Sequence, residues 1–154
     1  MPIELSAEIN FAVDLPTSRE MQDEIVKSMR KAVNAVLTRA KANLSGRFLK
    51  TRTGHGLASL RTKIQSTQTE ATGTIGTPLF YLRILHTGFP AQVLTTDKKG
   101  FTFFRGGHVI RVKSIHHPGV TARPWLQTAL EESTDDILLA FNEAAQGIGR
   151  FIAE

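Results

Sequence analysis

Two adjacent histidines, His116 and His117, followed by Pro118-Gly119, have the widest chemical range of any residues in this chain. Imidazoles ligate metals and move protons near neutral pH. Their spacing argues against both uses. Successive strand residues point to opposite faces, so a metal site on a strand takes its ligands from i and i+2, and neighbours do not share an ion. His55, His86 and His108 are scattered without H-E-x-x-H or H-x3-H spacing, and no cysteine supplies a thiolate. Nucleophilic chemistry has no better foothold, because neither a G-x-S-x-G elbow nor a P-loop is present. The acids fall on helix faces expected to be solvated, where nothing would raise their pKa. The stretch T-G-H-G at 53–56 lacks the G-K-[ST] ending of a phosphate cradle. The reading is therefore no catalytic, cofactor or metal residues, and no enzyme. The histidine pair is expected just past a strand that ends at Ile115, with Pro118-Gly119 turning the chain toward a helix opened by Arg123-Pro124.

Charge offers a second chemistry. Residues 1–26 carry six acids and one base, residues 27–124 seventeen bases and two acids, and residues 125–154 six acids and one base. A basic middle between acidic ends suits phosphate contact. It equally suits one subunit's acidic end meeting the next subunit's basic middle. Candidate DNA-facing or inter-subunit bases are Arg47, Lys50, Arg52, Lys98 and Lys99. Base stacking on a sheet needs a denser aromatic pattern than one tyrosine and alternating phenylalanines. Non-specific DNA contact stays open.

The elements that position these residues follow from periodicity. With 154 residues, 41% of them hydrophobic, the chain fits one domain around one core. Residues 3–13 alternate apolar and polar, as in a half-buried antiparallel strand. T-S-R-E at 17–20 reads as a capping box opening a long amphipathic helix over 17–46, stopped by Gly46. At 1.5 Å per residue that helix is roughly 40 Å long, more than one small core needs, so part of it is expected to project or to pack on a neighbour. A mobile basic loop follows from 47, then two weak strands around Glu70-Ala71 and a short apolar segment over 79–86 of either type. Residues 101–113 predict a hairpin turning at Gly106-Gly107, with Phe103 opposite Ile110 and Phe101 opposite Val112 on a core face. Its other face pairs Phe104 with Val109 and Thr102 with Arg111, which makes Phe104, Val109 and Arg111 candidate subunit contacts. One helix over 124–150 closes the chain, with Leu126, Ala129, Leu130, Ile137, Leu138, Phe141, Ala144 and Ile148 on its apolar stripe and Gly147 and Gly149 marking its end. The fold class is α+β, an antiparallel sheet packed by a long N-terminal and a C-terminal helix. No apolar run approaches the roughly 20 residues of a membrane span, and the first residues lack the blocks of a signal peptide. The lack of cysteine fits assembly in a cytoplasm.

Three segments, in order, resemble a known family. They are T-G-H-G-L-A-S-L-R at 53–61, G-T-P-L-F-Y-L-R-I-L-H-T-G at 76–88, and H-P-G-V-T-A-R-P-W-L-Q-T-A-L at 117–130. The series is similar to the tail-completion, or head–tail joining, proteins of tailed bacteriophages and prophages. Trp125 stands where phenylalanine is usual, Leu60 where isoleucine is common, Leu82 where alanine is usual, and His86 near the usual acid. The resemblance implies a curved sheet packed by a long helix. It further implies a non-enzymatic ring subunit, typically a hexamer, located in the virion neck between the portal-side connector and the tail tube. Its partners would be copies of itself and the adjoining neck and tail-tube proteins, with DNA passing through the channel and no membrane. Tail-terminator or minor tail subunit is the neighbouring alternative, and a basic non-specific DNA-binding accessory protein the alternative of another class. Pro118, Gly119, Arg123, Pro124 and Trp125 then act as a structural anchor for the last helix, Trp125 by burying a large aromatic.

Overall fold

The computed structural model describes residues 5–12, 18–48 and 54–153, the last three of these by backbone alone. The first strand, β1 (Leu5–Ala12), has the expected alternation, with Ile9 buried and Ser6, Glu8 and Asn10 exposed. Helix α1 (Arg19–Ala42) continues as a wider turn through Asn43–Arg47, one residue past the expected stop at Gly46. Thr17 lies outside the described residues. Ser18 is the cap instead: its Oγ accepts from the Met21 N–H at 3.4 Å and donates to Glu20. The expected capping box rests on Thr17 and so lies outside the described residues, and what the described residues hold is a serine cap.

A short helix α2 (His55–Ala58) leads into β2 (Arg61–Ser66) and β3 (Glu70–Thr77), an antiparallel hairpin that turns slightly before the expected Glu70-Ala71. β3 is the central strand of a three-stranded sheet ordered β1-β3-β2. The apolar segment after it is a helix, α3 (Phe80–Thr87). Beyond α3 the sheet does not continue as one. β4 (Gln92–Thr95) pairs with β7 (Ser114–His117), and β5 (Phe101–Arg105) pairs with β6 (His108–Val112), as two separate two-stranded sheets. Two helices close the chain, α4 (Trp125–Glu132) and α5 (Thr134–Ala153).

The expected single last helix is broken because Ser133 competes for its own backbone. Its Oγ donates to the Ala129 carbonyl at 2.6 Å and its N–H to Leu130, both inside the protein. Gly147 and Gly149 do not end α5, which runs to Ala153.

Packing follows from one row of small residues. β3 turns Ala71, Gly73, Ile75 and Thr77 inward, and Gly73 is flanked across the sheet by Ile9 and Ile64. The missing side chain leaves a trough into which α1 lowers Met29 and Val33, both buried. A Cβ at Gly73 would lie 2.4 Å from Val33 Cγ2 and 2.7 Å from Met29 Sδ. α4 and α5 pack beside α1, and Phe141 of α5 stacks on Phe11 of β1 with ring centroids 4.5 Å apart. Buried residues run from Ile25 to Leu44 along the long helix, so it is covered by its own chain rather than projecting as its length suggests.

The α3 region is tied down by Trp125, which has no exposed surface. Its indole N–H donates to the Leu82 carbonyl at 3.2 Å, and its own carbonyl accepts from Asn43 Nδ2 at 2.9 Å. Arg123 holds the same junction from outside, its backbone N–H donating to Leu85 and its guanidinium to the Phe48 carbonyl. His86 lies edge-on to the Trp125 ring, and its buried Nδ1 has no hydrogen-bond partner among the described residues. Burial lowers the His86 pKa below its ordinary 6.5.

Two outcomes follow from this packing. Gly73→Ala should destabilise the fold by about 1–3 kcal/mol through overpacking against α1, read as a lower urea midpoint with unchanged cooperativity. The unfolded chain protonates residue 86 before the folded one does. Stability should therefore fall as pH drops below about 6.5 and level off below the depressed folded value. His86→Leu should remove that part of the slope in urea titrations between pH 8 and 5.

Candidate assembly surface

The hairpin β5–β6 forms in the register that its sequence dictates. Gly106 and Gly107 take φ of +57° and +81°, the left-handed pair that a two-residue turn between twisted strands demands. Phe103 faces Ile110, Phe101 faces Val112, Phe104 faces Val109 and Thr102 faces Arg111. The expected roles of the two faces do not both follow. Phe101, Ile110 and Val112 are only half-buried, Phe103 is 41% exposed, and none of them joins the core around α1. The expected core face is thus partly open, because the arm packs chiefly on itself.

On the opposite face Phe104 is 78% exposed and Val109 is 55% exposed, with Arg111 one pair closer to the root. Burying a phenylalanine from that state is worth about 2 kcal/mol. An isolated two-stranded ribbon carrying it into water has no internal reason to do so. Lys98, Lys99, Arg105, Arg111 and Lys113 sit on or next to the arm, against one acid, Asp97. None of these bases has an acid within ion-pair distance among the described residues. The arm is therefore apolar at its tip and basic along its length.

Of the five candidate channel bases three lie among the described residues. Arg47 pairs with Glu132 and lies over the Phe48 ring, while Lys98 and Lys99 occupy the loop before β5. Lys50 and Arg52 lie outside the described residues. Two further bases of the charged middle are taken up inside the fold: Lys31 pairs with Glu143 and Arg39 with Asp136. The acidic C-terminal end is thus partly matched by the chain's own α1.

The histidine pair is not past the strand end but within it. β7 extends through His117, placing His116 opposite Val93 and His117 opposite Gln92. The extension is held by His117 Nδ1, which accepts from the Gly119 N–H at 3.0 Å, and by reciprocal backbone hydrogen bonds between Phe89 and Val120. Pro118-Gly119 then turns the chain to Pro124, which caps α4 rather than entering its first turn. Among the described residues no three histidines or acids gather as a metal site. No described helix is long and apolar enough to cross a membrane.

A second exposed apolar patch escaped the sequence reading. Leu138 was expected on the stripe of the last helix, yet Leu138 and Leu139 are 56% and 59% exposed. Ile137, Phe141, Ala144 and Ile148 form the true inward stripe, and at 100° per residue Leu138 turns away from it. Two adjacent leucines on one amphipathic helix were the available signal.

No family model, curated protein or solved structure matches this chain. Phe104→Glu should leave the melting temperature and the compact size of the monomer unchanged, because the ring lies largely in solvent. Thermal unfolding and hydrodynamic radius are the measurements, and an unfolded variant would place Phe104 in a core.

Proposed function

We propose that this chain is a structural virion protein, a ring-forming tail-completion or head–tail connector subunit that joins the capsid portal and neck to the tail tube. The observation that carries the reading is the hairpin arm, which holds Phe104 and Val109 in solvent beside bases that have no ion pair among the described residues. Such a surface gains stability only by meeting another macromolecule. On this reading the partner is a further copy of the chain and then the adjoining neck and tail-tube proteins. The bases left over near Lys98 and Lys99 serve neighbouring subunits or DNA in the channel. The protein is assembled in the host cytoplasm and works by contact rather than by turnover.

The three segments that resemble the phage family support the reading by where they lie. They are far apart in sequence, yet Ser59 Oγ is 2.8 Å from Thr77 Oγ1, Gly56 packs beside the Tyr81 hydroxyl, and Trp125 bonds to Leu82. A shared fold element would bring its motif residues together in this way.

Mass measurement in solution tests the proposal. The wild-type chain should form a closed species of fixed copy number, and Phe104→Glu should remain monomeric at concentrations where the wild type has assembled. A wild-type chain monomeric at every concentration would overturn it, and selective binding of one DNA sequence by that monomer would favour the DNA-binding alternative.

A further inference from the structure

The exposed face of α5 presents Leu138 and Leu139 with Asp135 and Asn142 on the same side. Asp136 and Glu143 beside it are engaged by Arg39 and Lys31, but Asp135 has no cation within ion-pair distance among the described residues. Residues 131–143 hold five acids and no base, whereas 97–113 hold five bases and one acid. Glu132, like Asp136 and Glu143, is paired with a base of the long helix or its last turn, so Glu131 and Asp135 are the acids left without an ion pair among the described residues. The apolar patch on the arm and the one on α5 are thus set in opposite charge on different elements.

We propose that the α5 face is the seat for the hairpin arm of a second copy. Phe104 and Val109 pack on Leu138 and Leu139, and Arg111 lies beside Asp135. This rests on the ring-subunit reading and names the partner surface within it. Pairing arm with arm would set bases against bases, and seat with seat would set acids against acids, so the crossed contact is the favoured one. On the ring-subunit reading the contact is head to tail, each arm on the next copy's seat, so that closure into a ring satisfies every copy.

The chain has no cysteine, so introduced thiols report contact without background. Val109→Cys and Leu138→Cys are made as two full-length chains and mixed in equal amounts with a mild oxidant at low salt. The crossed disulfide should exceed either homodimer by about tenfold, the factor expected when both alternatives juxtapose like charges. Arg111→Asp in the first chain should cut the crossed yield by about tenfold, and Asp135→Arg in the second should restore it. Homodimers in excess, or a crossed yield indifferent to both charge reversals, overturn this pairing. If the wild type still assembles by mass, the ring reading survives that result. A wild type that never assembles removes the ring reading itself.

Discussion

The burial of Trp125 is the constraint on which the rest of the fold depends. Its side chain reaches the α3 backbone at Leu82 while its backbone carbonyl is held by Asn43 from the end of the long helix. Three stretches distant in sequence are thereby fixed to one another through a residue with no contact with water. Both polar groups must be satisfied there, since a buried amide or carbonyl left alone costs about 1–3 kcal/mol. Everything between Leu82 and Trp125, including both two-stranded sheets, is a loop out of this junction and back into it. The arm can extend away from the core because its root is anchored on both sides.

The second organising interaction is electrostatic, and its effect is register rather than strength. Lys31 and Arg39 along α1 and Arg47 in the turn that continues it meet Glu143, Asp136 and Glu132 in reverse order along α5 and the end of α4. The ladder fixes the helices antiparallel. Each pair is solvent-exposed to a substantial degree, so each contributes at most about 1 kcal/mol. Its larger consequence is subtractive. Three bases of the long helix and its last turn and three acids of the C-terminal end neutralise one another within the fold. Among the described residues the five bases on or next to the arm stay without an ion pair, and on α5 so does Asp135.

Local pattern carried a large part of the architecture. The long helix, the first strand and the hairpin register were all legible, because each depends on side-chain period and turn chemistry within a few residues. Tertiary context decided the rest. The strand through His116 and His117 outlasts its expected end because Gln92 and Val93, over twenty residues earlier, pair with it. The closing helix splits at Ser133 through a hydroxyl that apolar periodicity does not weigh. The arm's supposed core face fails for a different reason: alternation shows that two faces differ, but not that a second layer exists to cover either. The exposed leucines of α5 were hidden in the same way, one of them read into a stripe that its neighbour Ile137 already filled.

On the ring-subunit proposal, an arm of this construction must avoid pairing with its own kind before assembly. Among the described strands β5 and β6 pair only with each other, leaving two open edges that would accept a strand from another arm. An isolated two-stranded ribbon is also marginally stable in water, so a partner strand would be readily taken up. The bases offset that tendency. Arg105 and Arg111 lie within the ribbon and Lys98, Lys99 and Lys113 flank it, so edge-to-edge association brings like charges together at strand spacing. The same charges favour an acidic surface, and the exposed phenylalanine then adds apolar contact that the free chain lacks. On the proposed docking, the basic middle of the sequence acts first as protection and then as selection, and the arm reaches its full stability only when docked.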